Sequence, residues 1–172
     1  MSSYTFYYLF NECSALVSPP ALPATSLSER CYSYMFSSCT NLTSMPELPA
    51  VSLAEGCYRY MFANCTSLST ATSLPALQLA DRCYMGMFRY CSSLTAAPAL
   101  PAEDLQPYCY ALMFSECTSL QNAPKLPAQQ LQDCCYRLMF RGCSLLSSMK
   151  VGFSNWQTSL DNPTYNWLSE VA

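Results

Sequence analysis

The sequence contains no histidine, and only 11% of its residues carry a formal charge. Catalytic and metal-binding sites rely on imidazole groups or on clustered carboxylates, whereas the acidic side chains here are scattered along the chain. The sequence therefore predicts no enzyme and no cofactor or metal site. With 8 basic against 11 acidic residues, the chain also lacks a basic surface that would neutralise a phosphate backbone, so we expect no nucleic-acid partner.

Long hydrophobic runs are missing as well. The uncharged segment 13–28 contains prolines and many hydroxyl residues, whereas a membrane-spanning helix needs about 20 mainly apolar residues. The first residues also lack the basic and apolar stretches of a secretory signal peptide. We therefore expect neither membrane insertion nor a signal peptide. Hydrophobic residues nevertheless make up 51% of the sequence, which is enough for a continuous core.

The main feature of the sequence is a repeat of 26 residues, which is the interval between Cys39 and Cys65. A period of this size is typical of stacked-repeat proteins, in which each unit buries its apolar face against the next. The repeat ends after Leu146. The columns that keep it are two of cysteine, one of Met-Phe pairs and one of leucine: Cys13, Cys39, Cys65, Cys91, Cys117 and Cys143; Cys31, Cys57, Cys83, Cys109 and Cys135; Met35-Phe36, Met61-Phe62, Met87-Phe88, Met113-Phe114 and Met139-Phe140; Leu42, Leu68, Leu94, Leu120 and Leu146.

Each unit has two halves with different patterns. In one half, apolar residues recur every four positions, which predicts a short amphipathic helix; in the second full unit they are Leu53, Cys57, Met61 and Cys65, with Tyr58 and Phe62 beside them. The other half, residues 42–49, is short and contains prolines, which predicts a brief strand. We therefore expect an α/β fold, a right-handed solenoid of the leucine-rich-repeat type with a short strand and a short helix in every coil.

The same alignment predicts the organisation of the chain. Residues 1–148 form the repeat solenoid, a partial first coil followed by five further helical units, and residues 149–172 form a C-terminal capping segment. That segment contains Trp156 and Trp167, which are suited to cover the apolar end of the last coil. The N-terminus begins inside a coil, so the chain is either an excised fragment or packs its open first coil on another chain, which includes self-association.

The cysteines have three competing explanations. In a helix, Cys57 and Cys65 would lie about 12 Å apart, too far for a disulfide. Helix packing would also separate equivalent cysteines of neighbouring coils by about 8 to 10 Å, and a metal site would need closer spacing or a histidine. We therefore expect buried free thiols. Cys134 lies outside both columns and is expected to be exposed.

Two further columns are assigned structural roles. The aromatic column is expected to pack between coils, and it consists of Phe6, Tyr32, Tyr58, Tyr84, Tyr110 and Tyr136. The acidic residues Glu29, Glu55 and Asp81 are at equivalent positions early in each predicted helix. We interpret them as partners of the positive end of the helix dipole.

Several segments resemble a known family. Cys117-Thr118-Ser119-Leu120, Arg141-Gly142-Cys143, the Leu-Pro-Ala step and the Tyr-x-x-Met-Phe-x-x-Cys pattern resemble leucine-rich repeats of the BspA-like type over residues 4–148. The unit is longer than the common one and has Met-Phe in place of Ala-Phe, as in a divergent relative. It is also similar to repeats in surface and fibre-like proteins of gut anaerobes and their phages. The resemblance implies an extracellular, cell-surface or virion location and a protein or carbohydrate ligand bound on the strand side.

The candidate binding residues are those that vary between units, because they are not required for packing. On the strand side they are Thr43, Glu47, Ser69, Ser73, Thr95, Ala99, Gln121 and Lys125. A possible second patch on the helix side consists of Tyr34, Tyr60 and Tyr90. The first hypothesis is a noncatalytic recognition or adhesion module. The alternative is a structural spacer or assembly subunit of a phage fibre or surface array.

Overall fold

The computed structural model describes residues 2–154 and 162–171. Within these ranges there is no α-helix, and the strands are β1 (Asn122–Leu126) and β2 (Ser148–Val151). The two strands pair in parallel, with an irregularity between Asn122 and Lys125. The prediction of an α/β solenoid with a helix in every coil is therefore wrong. The strand predicted for every coil is formed in only two of the described coils, and the other described coils have at most isolated bridges.

In place of a helix, each coil has a series of consecutive turns, which we call a turn ribbon. Alternate N–H groups close local turns, as when Met35 N–H donates to Tyr32 O at 3.2 Å. The N–H groups between them donate to the next coil, as when Tyr32 N–H donates to Cys57 O at 3.0 Å. The ribbon therefore satisfies its backbone half within the coil and half between coils. This pattern holds in ribbons 4–13, 30–39, 56–65, 82–91, 108–117 and 134–143.

Every fourth residue of a turn ribbon has a positive φ. In ribbon 56–65 these residues are Gly56, Tyr60 and Asn64, at 55°, 52° and 60°. The four-residue repeat of the backbone explains why the apolar residues are four apart. On an α-helix, which has 3.6 residues per turn, a strict four-residue stripe would rotate by about 40° at each step. In the ribbon, Cys57, Met61 and Cys65 all remain in the core.

Two ladders of stacked rings connect the coils. Ring centroids are 5.5–6.0 Å apart along Phe6, Tyr32, Tyr58, Tyr84, Tyr110 and Tyr136. They are 5.4–5.9 Å apart along Phe10, Phe36, Phe62, Phe88, Phe114 and Phe140. These separations fit offset rings on backbones spaced like hydrogen-bonded strands, about 4.8 Å, and exclude the 8 to 10 Å of packed helices. The predicted packing of the first column between coils is confirmed.

The cysteines are twelve free thiols, of which Cys13 is exposed and the rest are buried. The second thiol of each ribbon donates to a phenylalanine carbonyl of the preceding coil at 3.0–3.1 Å; the donors are Cys39, Cys65, Cys91, Cys117 and Cys143. The prediction that Cys134 is exposed is wrong, because only 1% of its surface is accessible. Its thiol lies beside Tyr108 of the preceding coil and raises the pKa of that tyrosine through a side-chain hydrogen bond.

The acidic column has a different role from the predicted one. Because no helix is present in the described ranges, the explanation by a helix dipole is wrong. Glu29 and Glu55 instead flank Arg30, with N–O distances of 3.7 and 3.4 Å. Asp81 pairs with Arg82 at 2.6 Å. These carboxylates therefore contact arginines at the surface of the ribbons.

The backbone pattern continues past the end of the sequence repeat. Residues 162–171 form a seventh turn ribbon, with positive φ at Asn166 and Glu170. Leu138 N–H donates to Tyr165 O at 2.9 Å, so this ribbon stacks on the sixth as the others stack on each other. Donor and acceptor are two residues further apart in the sequence here, for Leu138 and Tyr165, than in the earlier pair Tyr32 and Cys57. The last coil is therefore slightly longer than the rest.

Two described aromatic residues of the predicted capping segment, 149–172, lie against Tyr136, the last ring of the first ladder. Phe153 and Trp167 are buried, with ring centroids 5.7 and 6.2 Å from that of Tyr136. Trp156, the other tryptophan assigned to this segment, lies outside the described residues. No helix in the part of the chain that the structure describes is long and apolar enough to cross a membrane.

Candidate functional site

All eight residues of the predicted strand-side face are exposed: Thr43, Glu47, Ser69, Ser73, Thr95, Ala99, Gln121 and Lys125. The intervening leucines are buried, so the alternation of exposed and buried positions is clear in this half of the coil. However, only Lys125 belongs to a strand, where it lies opposite Lys150. The continuous sheet that the resemblance implies as a binding platform is not formed within residues 2–154 and 162–171.

Separate shallow cavities divide the strand-side surface. Glu47 lines one cavity of about 450 Å³, together with Pro20, Pro23, Pro46 and Pro49. Ala99 and Lys125 line a second, of about 330 Å³, together with Glu103. Lys125 also lines a third, of about 360 Å³, beside Lys150. The structure therefore brings Ala99 and Lys125 together and places Glu47 at a different cavity.

The three tyrosines of the second predicted patch meet at one place. Tyr34, Tyr60 and Tyr90 line a cavity of about 240 Å³ on the ribbon side, together with Arg89. We call this the tyrosine–arginine cavity; Arg59 is not among the residues that line it but lies beside it, with its guanidinium over the ring of Tyr60. Tyr90 is the most open of the three, at 40% exposure.

The cavity exists because one column of side chains is interrupted. Tyr34 stacks on Tyr60 with centroids 5.0 Å apart, and Tyr8 stacks on Tyr34 at 4.8 Å. The next residue of this column is Gly86, which has no side chain, and the ring of Tyr60 lies over it. A Cβ at Gly86 would collide with that ring. Space is therefore left between Tyr60, the last ring of this stacked column, and Tyr90.

Two arginines give this cavity its charge. The Arg59 guanidinium carbon is 5.4 Å from the ring centroid of Tyr60, and that of Arg89 is 4.8 Å from the ring centroid of Tyr90. Arg89 Nη2 also donates to the Tyr90 hydroxyl at 3.2 Å. Neither arginine forms an ion pair with a carboxylate of the described residues. The Nε atoms of both are buried, and no described residue is a hydrogen-bond partner for them.

The Tyr34 hydroxyl remains protonated beside these cations. Burial raises the pKa of Tyr34, and the positive charges of Arg59 and Arg89 oppose that rise without reversing it. The cavity therefore presents phenolic and guanidinium hydrogen-bond donors together, a combination suited to an anionic or polyhydroxyl ligand. In the ranges that the structure describes, no three His, Cys, Asp or Glu side chains are grouped to hold a metal ion.

Sequence reasoning finds the tyrosines of this cavity and misses the arginines. Arg59 and Arg89 vary between coils, which by itself indicates only solvated positions. The available signal is the pair of dipeptides Arg59-Tyr60 and Arg89-Tyr90, combined with glycine at position 86 where Tyr34 and Tyr60 precede it in the column.

No protein-family model matches the chain, and comparison with curated proteins and with solved structures gives no significant match. The resemblance to BspA-like repeats therefore stays a prediction.

Proposed function

We propose that the protein is a noncatalytic recognition module whose tyrosine–arginine cavity binds a carbohydrate carrying a carboxylate group. The observation that carries this proposal is the pair of guanidinium groups, Arg59 and Arg89, which have no carboxylate partner among the described residues. A ligand carboxylate would pair with such groups through charge-assisted hydrogen bonds.

The size and lining of the cavity favour a sugar over a protein ligand. Its volume of about 240 Å³ accommodates a small ring, whereas a stable protein interface buries roughly 800 Å² on each partner. The hydroxyls of Tyr34 and Tyr60 supply polar contacts for sugar hydroxyl groups. The half-open ring of Tyr90 supplies an aromatic surface, which suits the C–H face of a sugar.

Charge favours an acidic ligand at this cavity. The formal net charge is -3, so an acidic ligand is repelled by acidic surfaces and attracted to basic groups that are not neutralised. Among the described residues, Arg59 and Arg89 have no carboxylate partner, in contrast to Arg30, Arg82 and Arg141. Lys125 and Lys150 form another basic pair, but no aromatic ring of the described residues lines the cavity beside them.

The test is titration calorimetry with a uronic-acid oligosaccharide and with a neutral hexose oligosaccharide of equal length. We expect the acidic sugar to bind more tightly, and the Arg89→Gln variant to bind it about tenfold more weakly, as expected for loss of one charge-assisted bond. Glu47→Gln and Lys125→Gln alter the strand-side face and serve as matched controls that retain affinity. Loss of binding in those variants but not in Arg89→Gln, or equal affinity for both sugars, would reject the proposal.

The alternative function, a structural spacer or assembly subunit, depends on a different feature, the two ends of the stack of turn ribbons. The N-terminal end exposes Tyr4, Tyr7 and Leu9, and the position of Leu9 is buried in later coils, as at Met35 and Met61.

A further inference from the structure

The N-terminal end of the stack is an edge of hydrogen-bond acceptors. In every later ribbon, alternate carbonyls accept N–H groups from the preceding coil, as Cys31 O accepts from Phe6 N–H at 2.9 Å. The equivalent carbonyls of the first ribbon belong to Thr5, Tyr7, Leu9 and Asn11. No N–H of the described residues donates to them. A row of unpaired carbonyls of this kind is a template for a further coil.

The C-terminal end is an edge of donors. In the sixth ribbon, Leu138 and Phe140 donate their N–H groups to the seventh, at 2.9 and 2.8 Å. The equivalent N–H groups of the seventh ribbon belong to Asn166 and Leu168, followed by that of Glu170. Within residues 2–154 and 162–171, none of these three N–H groups has an acceptor.

We propose that copies of this chain associate head to tail, with ribbon 162–171 of one copy stacked on ribbon 4–13 of the next. Donors of one end then face acceptors of the other, whereas two N-terminal ends would present only acceptors to each other. The register is fixed by the repeat: Leu168 N–H donates to Leu9 O and Asn166 N–H to Tyr7 O. Because the two surfaces differ, the contact is heterologous and adds copies without a built-in limit.

The apolar side chains at the N-terminal end agree with this arrangement. Leu9 is 52% exposed, whereas Met35, at the equivalent position one coil later, is 2% exposed. The difference arises because Met35 has a coil on each side and Leu9 has one. In the proposed register Leu168 lies over the ring of Phe10, so the contact covers part of the apolar surface that the first coil leaves open.

One pair of charges opposes the contact and provides a sharp test of the register. Glu12 and Glu170 are at the same position of the first and seventh ribbons, as their shared positive φ shows, at 62° each. The proposed stacking brings these carboxylates together. Arg141, 3.5 Å from Glu170, offsets part of the repulsion. The association of the wild-type chain is therefore expected to be weak and to strengthen at higher salt, which screens the repulsion.

Sedimentation velocity over a range of concentrations tests the proposal. Glu12→Lys converts the opposed carboxylates into an ion pair and is expected to strengthen association about tenfold. Asp104→Lys changes the net charge equally at an exposed position away from both ends and should leave association unchanged. Leu9→Asp changes a side chain that is 52% exposed, so we expect it to leave the chain folded and to abolish association.

Hydrogen exchange identifies the contact directly. At concentrations where chains associate, the amides of Asn166, Leu168 and Glu170 should become protected, while that of Tyr165, already bonded to Asn162 O at 3.3 Å, should change little. A monomer at every concentration in both wild type and Glu12→Lys would overturn the proposal. So would a closed dimer, or equal strengthening by Asp104→Lys. Sugar binding by the monomeric Leu9→Asp variant tests the cavity independently, so the two proposals fail separately.

Discussion

Individual residues in the turn ribbons accept an unfavourable backbone conformation. Tyr34, Tyr60 and Leu112 have φ of 58°, 52° and 60°, which costs a residue other than glycine about 1–2 kcal/mol. The conformation persists because the next coil fixes the N–H group of such residues: Tyr34 N–H donates to Arg59 O, and Tyr60 N–H donates to Met85 O. The same geometry turns their side chains toward the surface, where substitution between coils is tolerated.

Gly86 provides a direct test of this conformation. Gly86→Ala adds a Cβ that would collide with the ring of Tyr60, at a φ of +62°. We expect a loss of about 2–3 kcal/mol in the free energy of unfolding, from backbone strain together with displacement of the ring. Chemical denaturation measures it.

The two causes are separated in the Tyr60→Ala background. There, Gly86→Ala should cost only the backbone strain of about 1 kcal/mol, because the ring is gone. Equal losses in both backgrounds would show that the ring of Tyr60 does not occupy the space over Gly86.

At the scale of the element, sequence predicted much of the packing and the wrong backbone. The repeat, the buried columns and the ring ladder followed from residue type, because apolar residues at equivalent positions must meet in stacked units. The helix did not follow, because a spacing of four fits one helix face over a short stretch almost as well as it fits a four-residue turn repeat. The distinguishing signal was Gly56, Gly86 and Gly142, which all occupy positive-φ positions.

The tyrosine–arginine cavity could be predicted only in part for a similar reason. It results from a single absence, the missing side chain at Gly86, and from the direction that Arg59 and Arg89 take over their neighbouring rings. Neither is a property of the repeating pattern. The repeating residues therefore predict the scaffold, whereas the cavity depends on Gly86, which departs from the tyrosines at its position in the two preceding coils.

The thiol columns make the stack of ribbons sensitive to alkaline pH. Burial raises the pKa of Cys65, Cys83, Cys135 and Cys143 from the ordinary 9.0 to about 12. In the unfolded chain these thiols lose their protons near pH 9.0, while in the folded protein they keep them. Stability is therefore fully present below pH 9.0 and is lost as pH rises toward 12, by up to about 1.4 kcal/mol per pH unit for each thiol.

Thermal unfolding in the presence of a reductant, between neutral pH and about pH 11, measures this loss. The midpoint temperature should be nearly constant to about pH 9 and then fall steeply. Cys13→Ala removes an exposed thiol and should leave the slope unchanged, whereas Cys65→Ala should make the decline shallower despite lower stability at neutral pH. A midpoint that stays constant through pH 10 would contradict the assignment of buried, protonated thiols.

At the scale of the whole molecule, the register of the hydrogen bonds between ribbons governs how coils stack. Within a ribbon, N–H groups alternate between local turns and the next coil, so a neighbour fits only if its acceptors fall on the matching alternate residues. The ribbon of the last coil keeps this match although the coil is two residues longer, because the extra length lies outside the ribbons. One extra residue inside a ribbon would place local donors where inter-coil donors belong, and would move the following residues off the four-residue repeat of core positions.

Removal of one coil tests this rule. Deleting residues 92–117 removes one full repeat and joins Cys91 to Thr118, a junction already present as Cys117-Thr118. The new neighbours, ribbons 82–91 and 134–143, would stack Tyr84 on Tyr136 and Phe88 on Phe140. Because each coil contacts mainly its neighbours, we expect a folded, cooperative protein with a denaturant m-value reduced roughly in proportion to the lost surface.

The matched control deletes residues 87–111, which removes one residue fewer and leaves Gly86 followed by Leu112, so that one extra residue stands inside the ribbon. Composition and length are nearly the same, but the alternation of donors is broken at the new junction. This variant should lose cooperative unfolding or split into two independently unfolding blocks, measured by denaturation and amide exchange. Equal stability of the two deletions would mean that apolar burial alone holds the coils together. A clear difference would show that the alternating backbone ladder selects the register and that the ring columns stabilise it once chosen.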